Sequence, residues 1–405
     1  MWKTITVIVL LLTSLLIRAA RIDYPSTYVF DEVYHAWTAR AYSLNDPRGY
    51  EWWHTSPKEG TAYEWLHPPF AKLFQASAIK MFGDTSFSWR IWSVMFGTAA
   101  VGLTFLLTHA LFKRFDTALL AALFVAFDPL VFVQSRIAMN DIFVTAFLLA
   151  SVWAWWKWKE QSKVKWMLLS TVFIGLAVST KWSALYGWAV LFVLTTVCLI
   201  RSRAPFLKLL TSHLMLLSLP PLIYIVSYGQ FWLQGHLIKQ FIELHQQIWW
   251  YQTNLKATHP YQSVAWMWPF ASKSVWYFVE YGKGTVANIY AAGNLFTWIF
   301  GILTVLGSVW SFLRRKAGWN VGFLIIFYAA LWMPWLVSPR ILFLYHYLPA
   351  IPFLMILLAH FLSIYTRRPI QISFAIIHVA IFFLLLPRLS GLPIPTSIDL
   401  WYTFF

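Results

Sequence analysis

Runs of about twenty apolar residues with almost no internal charge recur along the whole chain, and that recurrence constrains the fold more than any single motif does. A run this long satisfies its own backbone hydrogen bonds only as a helix, which is what the hydrocarbon core of a bilayer demands. About eleven such helices are expected, near 2–19, 89–112, 115–133, 138–157, 165–180, 183–200, 207–228, 288–313, 319–337, 341–365 and 370–387. With 60% hydrophobic and 11% charged residues, the composition fits one polytopic all-α bundle spanning 1–405 better than a string of soluble domains. Lys3 ahead of a short apolar core and Ala19-Ala20 after it outline a cleavable leader, but Arg18 and Arg21 flank the alanines, so the segment reads as a retained anchor.

A net charge of +16 raises the question of nucleic acid, and the distribution of the cations answers it. Lys113 and Arg114; Lys157, Lys159, Lys163 and Lys165; Arg201, Arg203 and Lys208; Arg314, Arg315 and Lys316; and Arg367 and Arg368 fall between apolar runs and make up 14 of the 31 Lys and Arg. By the positive-inside rule these turns are cytoplasmic, which also puts the amino terminus inside and the carboxyl terminus outside. No nucleic acid is implied. The single cysteine, Cys198, excludes an intramolecular disulfide and reads as packing.

Two long polar stretches then face outwards, 18–88 and 229–287, with no soluble domain inserted in either. The first carries eight of the fifteen acidic residues against seven basic ones, unlike the cytoplasmic turns. It contains Phe30-Asp31-Glu32-Val33, paired acids beside a membrane boundary, and His67-Pro68-Pro69-Phe70-Ala71-Lys72. The second contains His245, Trp249, Trp250, His259-Pro260-Tyr261 and Trp266-Met267-Trp268-Pro269. Exported loops with this content read as a folded site rather than a tether. Trp249 and Trp250 alone fit an interfacial belt equally well.

Charges beside apolar runs are costly and mark function or pairing. Arg90, Asp128, Arg136, Asp141, Lys181 and Arg340 all fall at outer helix ends in this topology. Asp128 and Asp141 read as paired structural charges; the set as a whole reads as a polar cavity at the outer leaflet. Cations there suit a polyprenyl-phosphate sugar, whose phosphate lies at headgroup level and becomes the leaving group. A carboxylate suits the proton of an attacking hydroxyl.

These residues, in order along nearly the whole chain, resemble the protein O-mannosyltransferases, GT-C-fold enzymes using dolichyl- or polyprenyl-phosphate mannose. The resemblance rests on Asp31-Glu32, His67-Pro68-Pro69 with Lys72, Arg90 with Phe96-Gly97, Gln134-Ser135-Arg136 with Asp141, and Ser179-Thr180-Lys181-Trp182. Thr258-His259-Pro260-Tyr261-Gln262-Ser263, Trp268-Pro269, Gly293-Asn294, and Arg340 with Phe343-Leu344-Tyr345-His346-Tyr347-Leu348-Pro349 complete the series. Tyr251-Gln252 stands where the family has Tyr-His, and Asn140 and Ile142 flank Asp141 in place of its usual neighbours. The missing inserted domain resembles the prokaryotic members.

The resemblance implies inverting transfer of mannose from a polyprenyl-phosphate-mannose donor to Ser or Thr of an exported polypeptide, within the membrane lipid. It implies Asp31 as base with Glu32 as second acid, roles exchangeable on sequence grounds. Arg90, Arg136, Lys181 and Arg340 become candidates for the donor phosphate. His67, Lys72, His259, Tyr345 and His346 become candidates for substrate. No cofactor is required; a divalent metal between Asp31 and Glu32 is the alternative, though adjacent carboxylates make a poor chelate. A sibling GT-C transferase for another lipid-linked sugar or another acceptor, and a lipid-phosphate transporter or flippase, are the competing readings. The transporter would call for paired repeats with broken helices, which the chain lacks.

Overall fold

A computed structural model describes residues 2–401. From the amino terminus it runs through α1 (Trp2–Ala19), α2 (Glu32–Ser43), α3 (Phe70–Phe82), α4 (Ser86–Phe112), α5 (Phe115–Ala126), α6 (Pro129–Gln134), α7 (Asp141–Gln161) and α8 (Val164–Val178). There follow α9 (Ala184–Arg201), α10 (Phe206–Ser227), α11 (Gly229–Leu233), α12 (Ile238–Asn254) and the strands β1 (Val275–Tyr281) and β2 (Thr285–Ala291). The chain continues with α13 (Leu295–Leu313), α14 (Trp319–Trp332), α15 (Ile351–Tyr365), α16 (Arg368–Ser390), β3 (Ile394–Pro395) and α17 (Thr396–Trp401).

Among the described residues, 8 helical segments are long and apolar enough to cross a membrane: those of α1, α4, α9, α10, α13, α14, α15 and α16. The chain is a multi-pass membrane protein. The other three expected spans fall on α5 with α6, on α7 and on α8, which are shorter or more polar, so eight rather than eleven meet the criterion. The expected run 115–133 is broken because Pro129 has no N–H and fits only the first turn of a new helix. Asp128 caps that helix, accepting the Val131 N–H at 3.0 Å, and its other oxygen accepts the Trp298 indole N–H at 2.7 Å. It is therefore a structural charge. The run expected at 288–313 opens instead in strand β2, and its helix begins at Leu295, capped by Asn294 through the Thr297 N–H at 3.1 Å. Residues 341–343 are likewise not helical; a 3-10 turn, Leu344–Ala350, leads into α15.

Burial sorts the helices. The window through α15 is 78% buried, whereas α1, α10 and α16 are 11%, 17% and 17% buried and present apolar residues outwards, as a lipid-facing surface does. Around α15 pack α4, α5, α13, α14 and α16, while α7 packs on the 3-10 turn that leads into it. Gly97 lets α4 approach the end of α6, since a Cβ there would lie 2.1 Å from Ser135 Oγ.

The basic turns gather at one end of the bundle. Lys113 pairs with Glu160 at 2.7 Å, Lys208 donates to Ser162 Oγ at 3.1 Å, and Arg114 reaches the Ser363 carbonyl at 3.3 Å. Asp141 and Gln161 mark the two ends of α7, about 30 Å apart.

At the Asp141 end the two polar stretches fold against each other. Ala36, Tyr42, Tyr50 and Ile79 share a core with Tyr228, Phe231, Leu244 and Ile248. Gln230 bridges the stretches, donating to the Tyr42 carbonyl at 2.8 Å and accepting the Tyr50 hydroxyl at 3.2 Å. A three-stranded antiparallel sheet of order β1-β2-β3, with Val275 opposite Ala291 and Val286 opposite Ile394, lies beside α6 and α16.

Candidate active site

Asp31 is the residue before α2, and the backbone that presents it is held in an unfavourable conformation. Phe30 has φ 49°, a left-handed geometry uncommon for a bulky side chain. Its ring is fixed by stacking on Tyr277 at 4.4 Å and by edge contacts with Phe343, Tyr345 and His259 at 6.0, 6.1 and 6.2 Å. The helix start then sends the two adjacent acids in different directions.

Asp31 lines a cavity of about 350 Å³ together with His35, Glu64, His67, Asn140, Asp141, Lys181, Tyr251, Arg340, Tyr345 and His346. The Tyr345 hydroxyl donates to Asp31 Oδ2 at 3.4 Å. Burial pushes the Asp31 carboxyl up to about 7; Lys181 opposes the shift and Asp141 adds to it. A carboxyl in this range exchanges protons near neutral pH.

Glu32 is turned away and fully buried. It takes Arg90 in a fork, at 2.8 Å to Oε1 and 2.7 Å to Oε2, and also accepts the N–H of Val29 and of Ala138, each at 2.9 Å. The remaining Arg90 donors go to the carbonyls of Ile22, Pro25 and Thr27 at 3.0, 2.8 and 3.0 Å, which uses all five N–H groups. The pair ties the 18–32 segment to α4 and to the turn before α7. Because Glu32 is committed in this way, Asp31 and Glu32 do not converge as a chelate. Among the described residues, no group of three or more His, Cys, Asp or Glu is arranged to hold a metal ion.

Arg136 also lies outside the cavity lining. It donates to the carbonyls of Arg18 and Ala20 at 2.6 and 2.7 Å and to those of Ile17 and Arg21 at 3.3 Å, closing the carboxyl end of α1 as a cation there should. Lys181 and Arg340 are the two expected cations that reach the cavity. Lys181 Nζ donates to Asp141 Oδ1 at 2.8 Å and stands 5.6 Å from the Tyr345 ring centre. Arg340 Nε is buried with no hydrogen-bond partner among the described residues, and burial holds this guanidinium below its ordinary range against the pull of Tyr345, Tyr251, Asp31 and Glu64. Of six charges expected to converge, the structure brings together Asp141, Lys181 and Arg340.

The His-Pro-Pro motif delivers His67 to the cavity and Lys72 to its foundation. Glu64 accepts from His67 Nδ1 at 2.6 Å and is ion-paired with Lys72, which is fully buried in α3 and also donates to the His67 carbonyl at 3.0 Å. His35 Nδ1 lies 3.6 Å from Glu64. Burial pushes Glu64 up, but Lys72, His67 and His35 outweigh it and hold the carboxyl well below its usual range. Burial holds the His67 imidazole below its usual range despite Glu64, and holds His35 down at about 3. With the proton on Nδ1 facing Glu64, His67 keeps Nε2 as an acceptor.

Sequence reasoning did not single out Glu64 or His35 as members of the site. The available signal was spacing, since Glu64 precedes His67 by three residues and His35 follows Asp31 by four. Tyr345 and His346 stand as expected in the cavity wall, with His346 stacked on Trp268 at 6.1 Å. His259 is behind the wall against Phe30 and Phe343, its Nδ1 accepting the Tyr261 N–H at 3.1 Å.

Comparisons with known proteins bear on the family and the fold. The polyprenol-phosphate-mannose–protein mannosyltransferase of Corynebacterium glutamicum is 25% identical over 73% of this chain and 69% of its own length. The enzyme of the same name from Mycobacterium tuberculosis is 23% identical over 93% of this chain and 86% of its own. In fold, the chain is similar to the protein O-mannosyltransferase Pmt1-Pmt2 complex of Saccharomyces cerevisiae bound to the sugar donor, with TM-score 0.81, 15% identity, 97% of this chain and 90% of that one covered. It is also similar to ArnT from Cupriavidus metallidurans bound to undecaprenyl phosphate, with TM-score 0.65, 17% identity, and 93% and 63% covered. The bundle is GT-C-like. The family model for dolichyl-phosphate-mannose-protein mannosyltransferase matches residues 8–237, and that for the C-terminal four-transmembrane region of protein-O-mannosyltransferase matches 237–400, so the chain belongs to the protein O-mannosyltransferase family.

Proposed function

We propose that this protein transfers mannose from a polyprenyl-phosphate donor to Ser or Thr hydroxyls of exported polypeptides, with inversion at the anomeric carbon. One observation carries the reading: a carboxyl poised near neutrality, Asp31, shares a single cavity with Lys181 and Arg340. The Asp31 carboxylate takes the proton of the acceptor hydroxyl as its oxygen attacks the anomeric carbon. The bond from that carbon to the phosphate oxygen breaks, and its electron pair leaves with the polyprenyl phosphate. Lys181 and Arg340 neutralise the charge that develops there. Tyr345 orients Asp31. The Glu64–His67 pair presents Nε2 as an acceptor for a sugar hydroxyl. Lys72 holds Glu64 in place, while Glu32, Arg90 and Arg136 position the segment that carries Asp31. His259 and His346 support the wall through ring contacts.

In this reading residues 1–405 form one membrane domain, with the α5–α6 pair, α7 and α8 completing about eleven passes. The amino terminus and the basic turns are cytoplasmic, and the stretches 18–88 and 229–287 form an extracytoplasmic catalytic face. The test is incubation of the purified chain with labelled polyprenyl-phosphate mannose and a Thr-containing peptide. Label covalently on the peptide is expected; a GT-C sibling would require another sugar, and a transporter would leave the glycosyl phosphate intact.

A further inference from the structure

We infer that the end of the bundle opposite the catalytic cavity carries a binding site for the headgroup of an anionic phospholipid. A cavity of about 540 Å³ lies there between the ends of α7, α9, α10 and α14. Lys159, Arg201 and Lys208 line it together with Trp158 and Trp319, and among the described residues no Asp or Glu is in the lining. The acid close by, Glu160, is already shared between Lys113 at 2.7 Å and Lys157 at 3.8 Å. Lys159 has a ring partner, Trp156 at 4.1 Å, and Lys208 donates to Ser162 and lies 5.8 Å from Trp158, so their contacts are to neutral groups. The Trp319 indole N–H is buried without a hydrogen-bond partner among the described residues.

Helix dipoles explain only part of this. Lys159 and Arg201 sit in the last turns of α7 and α9, where the carbonyl ends favour cations. Lys208 sits in the first turn of α10, where the same effect disfavours a cation, and it nevertheless faces the same cavity. An anion in the cavity would compensate all three charges and give the concavity an occupant. Next to the lining residues Arg201 and Lys208 in the chain, Ile200, Phe206 and Leu207 are 65%, 74% and 69% exposed, at the ends of α9 and α10, two helices whose apolar residues are largely exposed. A phosphate attached to acyl chains matches both features: the phosphate among the cations, the chains along that surface.

The full chain, purified in detergent with phosphatidylglycerol and phosphatidylcholine supplied together, would be analysed for retained lipid by native mass spectrometry. Preferential retention of phosphatidylglycerol is expected. Arg201→Gln/Lys208→Gln should lower that preference by about fivefold for each cation removed, while Arg314→Gln/Arg315→Gln, which removes two cations from a neighbouring basic turn, should leave it in place. Thermal unfolding provides a second readout: phosphatidylglycerol should raise the midpoint of the wild type and of the control pair but not of the Arg201/Lys208 pair. Equal loss in both pairs would mean a general surface potential and overturn the site. No loss in either would overturn it as well. Inorganic phosphate that displaces the lipid as readily as short-chain phosphatidylglycerol does would reassign the cavity to a free anion.

Discussion

Replacing Asp31 by Asn keeps the side chain's size and its contact with Tyr345 while removing the base, and two separate readouts follow from its environment. The carboxyl is raised from an ordinary 3.8 to about 7, chiefly by burial. For the wild type, the single-turnover rate at saturating donor should therefore rise tenfold per pH unit up to about pH 7 and level off above it, a fall of roughly 10² at pH 5 relative to the plateau. Asp31→Asn should lose about 10² or more at the plateau and lose this acid limb too. Stability should move the other way. A carboxyl whose folded pKa lies above its unfolded value contributes stability that is complete below about pH 4 and is lost as the pH rises through about 7. The three-unit shift sets a ceiling of about 4 kcal/mol, which water in the cavity reduces to about 1–2 kcal/mol. Asp31→Asn should accordingly unfold later than the wild type at pH 8, with the difference vanishing near pH 4. Transfer to a Thr peptide and thermal unfolding, both in nanodiscs across pH 5–8, would measure this. A flat rate profile, or a variant keeping more than a tenth of the activity, would refute the assignment of Asp31 as base.

Lys181→Ala and Arg340→Ala should each weaken donor binding more than peptide binding, read as separate dissociation constants; an unchanged donor constant in both would remove them from the phosphate site. Glu32→Gln strips the charge from a buried fork and should destabilise the fold by about 3–5 kcal/mol, visible as a lowered unfolding midpoint, with donor affinity retained in whatever protein remains folded. In a Cys198→Ser background, Asn45→Cys with Gln234→Cys should be bridged by a short bis-maleimide, because Gln234 Nε2 donates to Asn45 Oδ1 at 3.2 Å across the two polar stretches; no bridging in membranes would argue against their packing.

Much of this protein is readable from periodicity and order alone. Helix type and approximate limits follow from apolar length because a bilayer accepts only self-satisfied backbone, which a linear pattern records. Boundaries failed where a local feature outweighed apolarity: Pro129 broke one run, and β2 pairing with β1 replaced the start of another. Motif order likewise pointed to Asp31, His67, Lys181 and Arg340, all of which line one cavity.

Residue chemistry could not say which way each charge points. Glu32 and Arg90 are as conspicuous in the chain as Asp31 and Lys181, yet they satisfy each other in the interior, because a fork of five donors finds two carboxylate oxygens and three carbonyls within reach. Arg136 is spent on the end of α1. Glu64, unremarked in the sequence, becomes the acid that organises His67, His35 and Lys72 only when the segment before α3 folds back over α2. The sequence determined the membrane class, the placement of the polar stretches and the family, because these depend on local composition and ordered motifs. The tertiary structure decided which charges are catalytic candidates and which are structural, because hydrogen-bond valence is spent on whatever distant groups packing brings within about 3 Å.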